Sequence, residues 1–220
     1  MLLSAKEIIV GARDSSLSRV QVDEVVSLFQ IHHPEISFSI KWFQTKGDKD
    51  QQTSLSSMEK TDFFTREIDE AILDDICQIA IHSAKDLPDP LSDLLSVIAV
   101  TEGLDSSDMI VFRDGEDLTT IPFAARIGTS SLRREKNIKA LRDDVICVDI
   151  RGTIEKRLAL LDLGVFDGVI IANAALIRLK LIRNIVPLPG ESAPMQGRLA
   201  IVAKAGDFEM KQLFSCLHRE

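Results

Sequence analysis

Apolar positions recur along this chain with two different periods, and the switches between them predict its elements. Residues 7–12, EIIVGA, form a short apolar run of strand length, and 16–32 follow with Leu17, Val20, Val25, Leu28 and Phe29 at helical spacing. In 37–45, Phe38, Ile40 and Trp42 alternate with polar neighbours, the period-two mark of a strand. Residues 49–60, KDQQTSLSSMEK, carry no period and read as a long mobile loop. A helix is predicted over 63–74, with Phe64, Ile68 and Ile72 on one face, and buried strands over 77–82 (CQIAIH) and 97–101. The polar stretch 102–108 reads as a crossover. Beyond it the grammar restarts, with strands at 125–127, 145–150 and 166–172 and helices at 131–141, 154–163 and 174–181. Such alternation implies parallel strands with right-handed crossovers, hence the α/β class, and two such runs imply two lobes.

Composition narrows the class further. The 220 residues are 45% hydrophobic and 27% charged, which excludes collagen-like and disordered chains. The most apolar window, 165–179, is interrupted by Asp167, Asn173 and Arg178, so no membrane span and no membrane partner are expected. The opening MLLSAKEIIVGARDSS lacks a basic leader, which argues against a signal peptide. Cys77, Cys147 and Cys216 fit neither a disulfide framework nor a CxxC metal site, so a reducing, cytoplasmic setting is expected. His32-His33 has no third ligand at helical spacing, and no metal is expected.

Charge adds a local signal. The formal net charge of −8 argues against nucleic acid as a partner. Residues 51–120 carry 4 basic against 16 acidic side chains, whereas 128–157 carry 8 basic against 5 acidic. A solvated helix face would explain the second stretch; so would an anion site, and the motifs favour the latter. Gly128-Thr129-Ser130-Ser131-Leu132-Arg133-Arg134 falls at a strand-to-helix turn, where hydroxyls cap and free N–H groups favour an anion. Two arginines add bidentate donors for carboxylate. Arg151-Gly152-Thr153, with Arg157 one turn on, repeats the pattern, and so does Gly11-Ala12-Arg13-Asp14-Ser15. In a parallel sheet such turns share the carboxyl edge, and three of them converging there suggest a ligand with several carboxylates. Neither a P-loop nor GxGxxG is present, which disfavours phosphates. Lys85-Asp86, in IHSAKDLP just after a strand, could pair an anion anchor with a carboxylate that stabilises a developing cation. An isolated KD pair is more often a surface turn, and His82 at a strand end more often structural.

Taken in order, IVGARDSSLSRVQ, QTKGD, FTREIDEAILDDICQIAIHSAKDLP, RIGTSSLRREKNIKALR and VDIRGTIEKRLALLDLGVFDGVIIANAALIRLKL resemble the porphobilinogen deaminase family from residue 8 to about 181. The resemblance implies two periplasmic-binding-protein-like (type II) α/β lobes with a cleft between them. The first would comprise 1–102 plus about 193–220 and the second 107–190. It implies tetrapyrrole (heme) biosynthesis, with four porphobilinogens deaminated and joined head to tail into hydroxymethylbilane on a dipyrromethane cofactor. The partner would be a small carboxylated pyrrole, and a monomer is expected. The family's acid–base aspartate falls on Asp86, with Lys85 beside it. Its carboxylate binders fall on Arg13, Ser15, Thr129, Ser130, Ser131, Arg133, Arg134, Arg151 and Arg157.

The chain also departs from the family. Arg-Gly-Asn appears as Arg151-Gly152-Thr153, and the glycine-rich, lysine-bearing segment as Glu59-Lys60-Thr61-Asp62. The family hinge appears as Pro194-Met195-Gln196-Gly197-Arg198-Leu199-Ala200-Ile201-Val202. The family's third α+β domain, with its cofactor cysteine, is expected to be absent, and Cys216 stands in a helical context; the attachment point is therefore unknown. A non-catalytic binder of anionic pyrroles or polycarboxylates is the alternative from another class. A periplasmic solute-binding protein is a third, disfavoured by the N-terminal sequence.

Overall fold

The computed structural model describes residues 7–50 and 61–219. Most of the expected 49–60 loop, the Glu59-Lys60 pair and the N-terminal hexapeptide lie outside the described residues. The described residues form two compact units, the first of 7–49, 61–104 and 197–219 and the second of 50 and 105–196.

The first unit holds β1 (Glu7–Arg13), α1 (Ser16–Gln30), β2 (Ser37–Phe43), the short α2 (Lys46–Lys49), α3 (Arg66–Leu73), β3 (Ile79–Ser83) and β4 (Leu95–Val100). The second holds β5 (Asp108–Phe112), β6 (Arg126–Gly128), α4 (Leu132–Leu141), β7 (Ile146–Val148), α5 (Ile154–Asp162), β8 (Gly168–Ala172), α6 (Asn173–Arg178) and β9 (Asn184–Leu188). The chain then returns to the first unit as β10 (Leu199–Lys204) and α7 (Phe208–Phe214).

Each unit is one five-stranded sheet, in the order β2-β1-β3-β10-β4 and β7-β6-β8-β5-β9. The expectation of purely parallel sheets needs correction. β10 runs antiparallel to β3 and β4, and β5 runs antiparallel to β8 and β9. In both sheets the odd strand is one that has just crossed from the other unit, so no helical crossover precedes it and no parallel direction is imposed.

Helices cover both faces of the first sheet. Ile79 and Ile81 of β3 and Leu199, Ile201 and Ala203 of β10 pack with Val22, Val25 and Phe29 of α1 and with Met210 and Phe214 of α7. The intervening Ala80 and Val202 pack on the opposite face with Ile68 and Ile72 of α3. In the second unit Ile110, Phe112, Ile127 and Ile170 pack against Ile138 of α4. Two-sided burial explains why these strands read as continuous apolar runs. Among the described residues, no helix is long and apolar enough to cross a membrane.

Candidate functional site

In the first unit β1, β2 and β3 are parallel, so Arg13, Phe43 and Ser83 end on one edge. Ser15 caps α1 there, its Oγ accepting from the Ser18 N–H at 3.2 Å. Arg13 is anchored by the chain itself: its guanidinium donates to Asp48 and lies over the Phe64 ring, 4.6 Å from the centroid. Burial raises the Asp48 carboxyl, but the Arg13 guanidinium and the Thr45 donors outweigh it and hold it below the ordinary carboxylate range. QTKGD supplies this cluster, and its glycine is required by close approach: a Cβ on Gly47 would stand 2.3 Å from Phe64 Cε1.

Gly11 pairs with Ala80 across β1 and β3, and carrying that register two residues on sets Arg13 beside His82. Burial pushes the His82 imidazole down to about 4, and the Arg13 charge adds to the shift. Its Nε2 has no hydrogen-bond partner among the described residues. The unfolded chain, with an ordinary histidine near 6.5, therefore takes up a proton that the folded chain refuses. The His82 contribution to stability is full above that value and is expected to fall by about 2 kcal/mol between pH 7.5 and 5, read as the difference between wild type and His82→Gln because Asp69, raised to about 6 by burial, acts in the opposite sense. Urea midpoints across this window check the loss, and His82→Gln should remove it; an unchanged slope in the variant would mean that another group titrates.

Lys85 and Asp86 sit on the turn Ala84–Asp86 directly after β3, with Lys85 half-buried and Asp86 exposed. The Ala84 N–H donates to the Arg198 carbonyl at 3.0 Å, tying this turn to the residue before β10.

In the second unit β6 and β7 are parallel, and their following turns lie side by side. Thr129 N–H donates to the Val148 carbonyl at 2.9 Å. Ser130 Oγ donates to the Ile150 carbonyl at 2.6 Å and accepts from the Ile150 N–H at 3.1 Å, stitching the two turns together. Ser131 caps α4 and Thr153 caps α5. Gly152 has φ +97°, the left-handed region that glycine enters without strain. Arg157 Nε donates to the Gly152 carbonyl at 2.9 Å, and Arg151 Nη2 to the Asp50 carbonyl at 3.0 Å. Arg133 and Arg134 instead meet on Asp108, at 2.7 and 2.6 Å. The three hydroxyl-bearing turns thus do not share one sheet edge: 11–16 belongs to the first sheet, the other two to the second.

Neither Asp108, in the polar crossover, nor Gln196, in the hinge segment, stands among the site residues expected from the sequence. Gln196 Nε2 donates to Asp108 Oδ1 at 3.0 Å and to the Ser106 carbonyl at 2.7 Å. That tie joins residue 196 to the second unit.

The cationic turns of the second unit fit a group rich in carboxylates, whereas the thiols fit a covalent linkage poorly. Cys77 is buried in the turn before β3 rather than within it, Cys147 is half-buried on β7, and burial raises both. Cys216 lies in the single 3-10 turn after α7, donates to the Leu213 carbonyl at 3.4 Å and is likewise raised by burial. No group of three His, Cys, Asp or Glu that could hold a metal ion occurs among the described residues.

Comparison with known proteins adds to this geometry. Residues 8–212 match the family described as "Porphobilinogen deaminase, dipyromethane cofactor binding domain". A "Probable porphobilinogen deaminase" of Chlamydia pneumoniae is 38% identical over 210 residues, 95% of this chain and 89% of that protein. A "Porphobilinogen deaminase" of Fusobacterium nucleatum is 38% identical over 221 residues, 98% of this chain and 74% of that protein. Among solved structures, the reduced regulatory domain of OxyR2 from Vibrio vulnificus superposes with a TM-score of 0.57 at 12% identity, covering 99% of this chain and 97% of that one. The periplasmic VFT2 domain of BvgS from Bordetella pertussis superposes with a TM-score of 0.54 at 11% identity, covering 96% and 86%. At such identities the likeness is one of fold, the periplasmic-binding-protein-like type II class.

Proposed function

Since the chain belongs to the porphobilinogen deaminase family, we propose that it deaminates porphobilinogen and condenses four molecules head to tail into hydroxymethylbilane, a step of tetrapyrrole biosynthesis. Carrying the reading is the stitched pair of turns in the second unit, with four arginines and four hydroxyl residues, Thr153 included, on one carboxyl edge. Porphobilinogen bears an acetate and a propionate, so each added unit brings two more negative charges to that edge.

Thr129, Ser130, Ser131, Arg133, Arg134, Arg151 and Arg157 would bind the carboxylates of the substrate and of the dipyrromethane. Arg13 and Ser15 would do so in the first unit. When bound, the dipyrromethane supplies the pyrrole carbon on which the chain is extended. Lys85 would anchor an incoming carboxylate. Asp86 would hold its carboxylate beside the substrate's ammonium group and stabilise the methylene-pyrrole cation left when ammonia departs with the electron pair of the carbon–nitrogen bond. The exposure of Asp86 suits a group that must reach substrate.

Incubation with porphobilinogen is expected to release ammonia, while intact mass should show no pyrrole on Cys77, Cys147 or Cys216. Binding without ammonia release would assign the chain to non-catalytic polycarboxylate binding. A pyrrole adduct abolished by Cys216→Ser would name that thiol as the attachment point and correct the reading of it as a residue in a helical context.

A further inference from the structure

Asp108 opens β5 with its side chain only 2% exposed, and the reaction as proposed makes no use of it. Four donor atoms from three residues converge on its carboxylate. Arg133 Nη2 reaches Oδ2 at 2.7 Å, Arg134 Nη2 and Nε reach Oδ1 at 2.6 and 3.1 Å, and Gln196 Nε2 reaches Oδ1 at 3.0 Å. Two guanidiniums on adjacent residues, in the first turn of a helix whose dipole already disfavours cations, need an opposing charge. Burial raises the Asp108 carboxyl, but the Arg134 and Arg133 charges outweigh it, and it sits below the ordinary range. The cluster is therefore two cations on one anion.

The remaining contacts fix both forks further. Arg133 Nη1 donates to the Glu191 carbonyl and Arg134 Nη1 to the Ile170 carbonyl at 3.3 Å. A guanidinium has five N–H groups. Each arginine thus keeps donors that these bonds do not use, including Nε–H of Arg133, the more exposed of the two. The charge left over is enough for one further carboxylate.

We propose that Asp108 is the positioning residue of the substrate-carboxylate site: it locks the forks of Arg133 and Arg134 in place and cancels one of their two charges, so that the pair accepts a single pyrrole carboxylate in a fixed orientation. This rests on the reading of the second unit as a pyrrole-carboxylate site. Gln196 supports Asp108 from a segment 88 residues away, which makes the lock a tertiary device rather than a local turn. The structure distinguishes geometric recognition from charge attraction, and the two should separate when the lock is removed.

Titration of wild type, Asp108→Asn and Asp108→Glu with porphobilinogen and with inorganic sulfate tests this. In Asp108→Asn both cations lose their counter-charge and their anchor. Porphobilinogen is expected to bind about tenfold more weakly, and sulfate, which needs only charge, several-fold more tightly. Asp108→Glu should recover part of the porphobilinogen affinity. Both ligands weakening together, or neither changing, would overturn the proposal, because a merely structural role moves them alike. Should wild type bind no porphobilinogen, the pyrrole reading fails and the sulfate arm alone decides the role of Asp108. Should Asp108→Asn not fold, Gln196→Met keeps both charges and loosens the lock: about threefold weaker porphobilinogen binding supports the proposal, and unchanged binding overturns it.

Discussion

Asp86→Ala is expected to cut turnover by about 10²–10⁴-fold while leaving the affinity for carboxylated pyrroles within a few-fold. The asymmetry follows from where the charge is needed. In the ground state the Asp86 carboxylate repels the ligand's carboxylates and attracts its ammonium group, effects that largely offset, whereas its main benefit appears as ammonia leaves and a cation develops. The loss should therefore fall on kcat rather than on KM. Asp86 stands on a turn fixed by β3 on one side and by the Arg198 carbonyl on the other, so truncation removes the carboxylate without moving its support. Single-turnover ammonia release measured beside pyrrole binding separates the two quantities. Turnover equal to wild type would remove Asp86 from the mechanism.

Phe214→Ala should be the costliest core change in the first unit. Phe214 is fully buried, 4.5 Å from the Phe29 ring centroid and 6.5 Å from that of Phe38, so α1, β2 and α7 meet on it. Asp207 caps α7 by accepting from the Met210 N–H at 3.0 Å, which sets the helix but leaves Phe214 to dock it. Removing the ring leaves a cavity that three elements border and cannot readily fill. A loss of about 3–5 kcal/mol is expected, read as a fall in melting temperature of roughly 6–20 °C. A loss below about 1 kcal/mol would mean that α7 packs on the sheet without this contact.

Elements with one clear period were legible in the sequence. Three strands were not, each for a physical reason. β5 (DMIVF) and β10 (LAIVAK) are covered on both faces, so they lack the alternation that marks a strand, and each opens beside a polar crossover. β9 contains Pro187, which argues against a strand until the topology shows it at a sheet edge, where the missing N–H costs little. The site divides similarly. The Ser15, Ser131 and Thr153 caps are local and could be read from their turns. What holds the arginines could not, because the partners are remote: Asp48 lies 35 residues from Arg13, and Asp108 lies 25 and 26 residues from Arg133 and Arg134. A carboxylate in a polar connector gives no sign that it will be buried under two guanidiniums.

The place of β10 bears on how the chain is made. It fills the slot between β3 and β4, yet it is encoded after every strand of the second sheet. On the ribosome β4 emerges and then waits while roughly a hundred further residues follow, on the order of 5–20 s at ordinary elongation rates. During that interval the second sheet has all five of its strands and can close, whereas the first has a gap and β4 has no neighbour. The later-encoded unit should thus mature first, and the unit carrying Lys85 and Asp86 last. Nascent chains shorter than residue 199 would then expose the apolar edges of β3 and β4 to chaperones, and that exposure should end as β10 clears the exit tunnel.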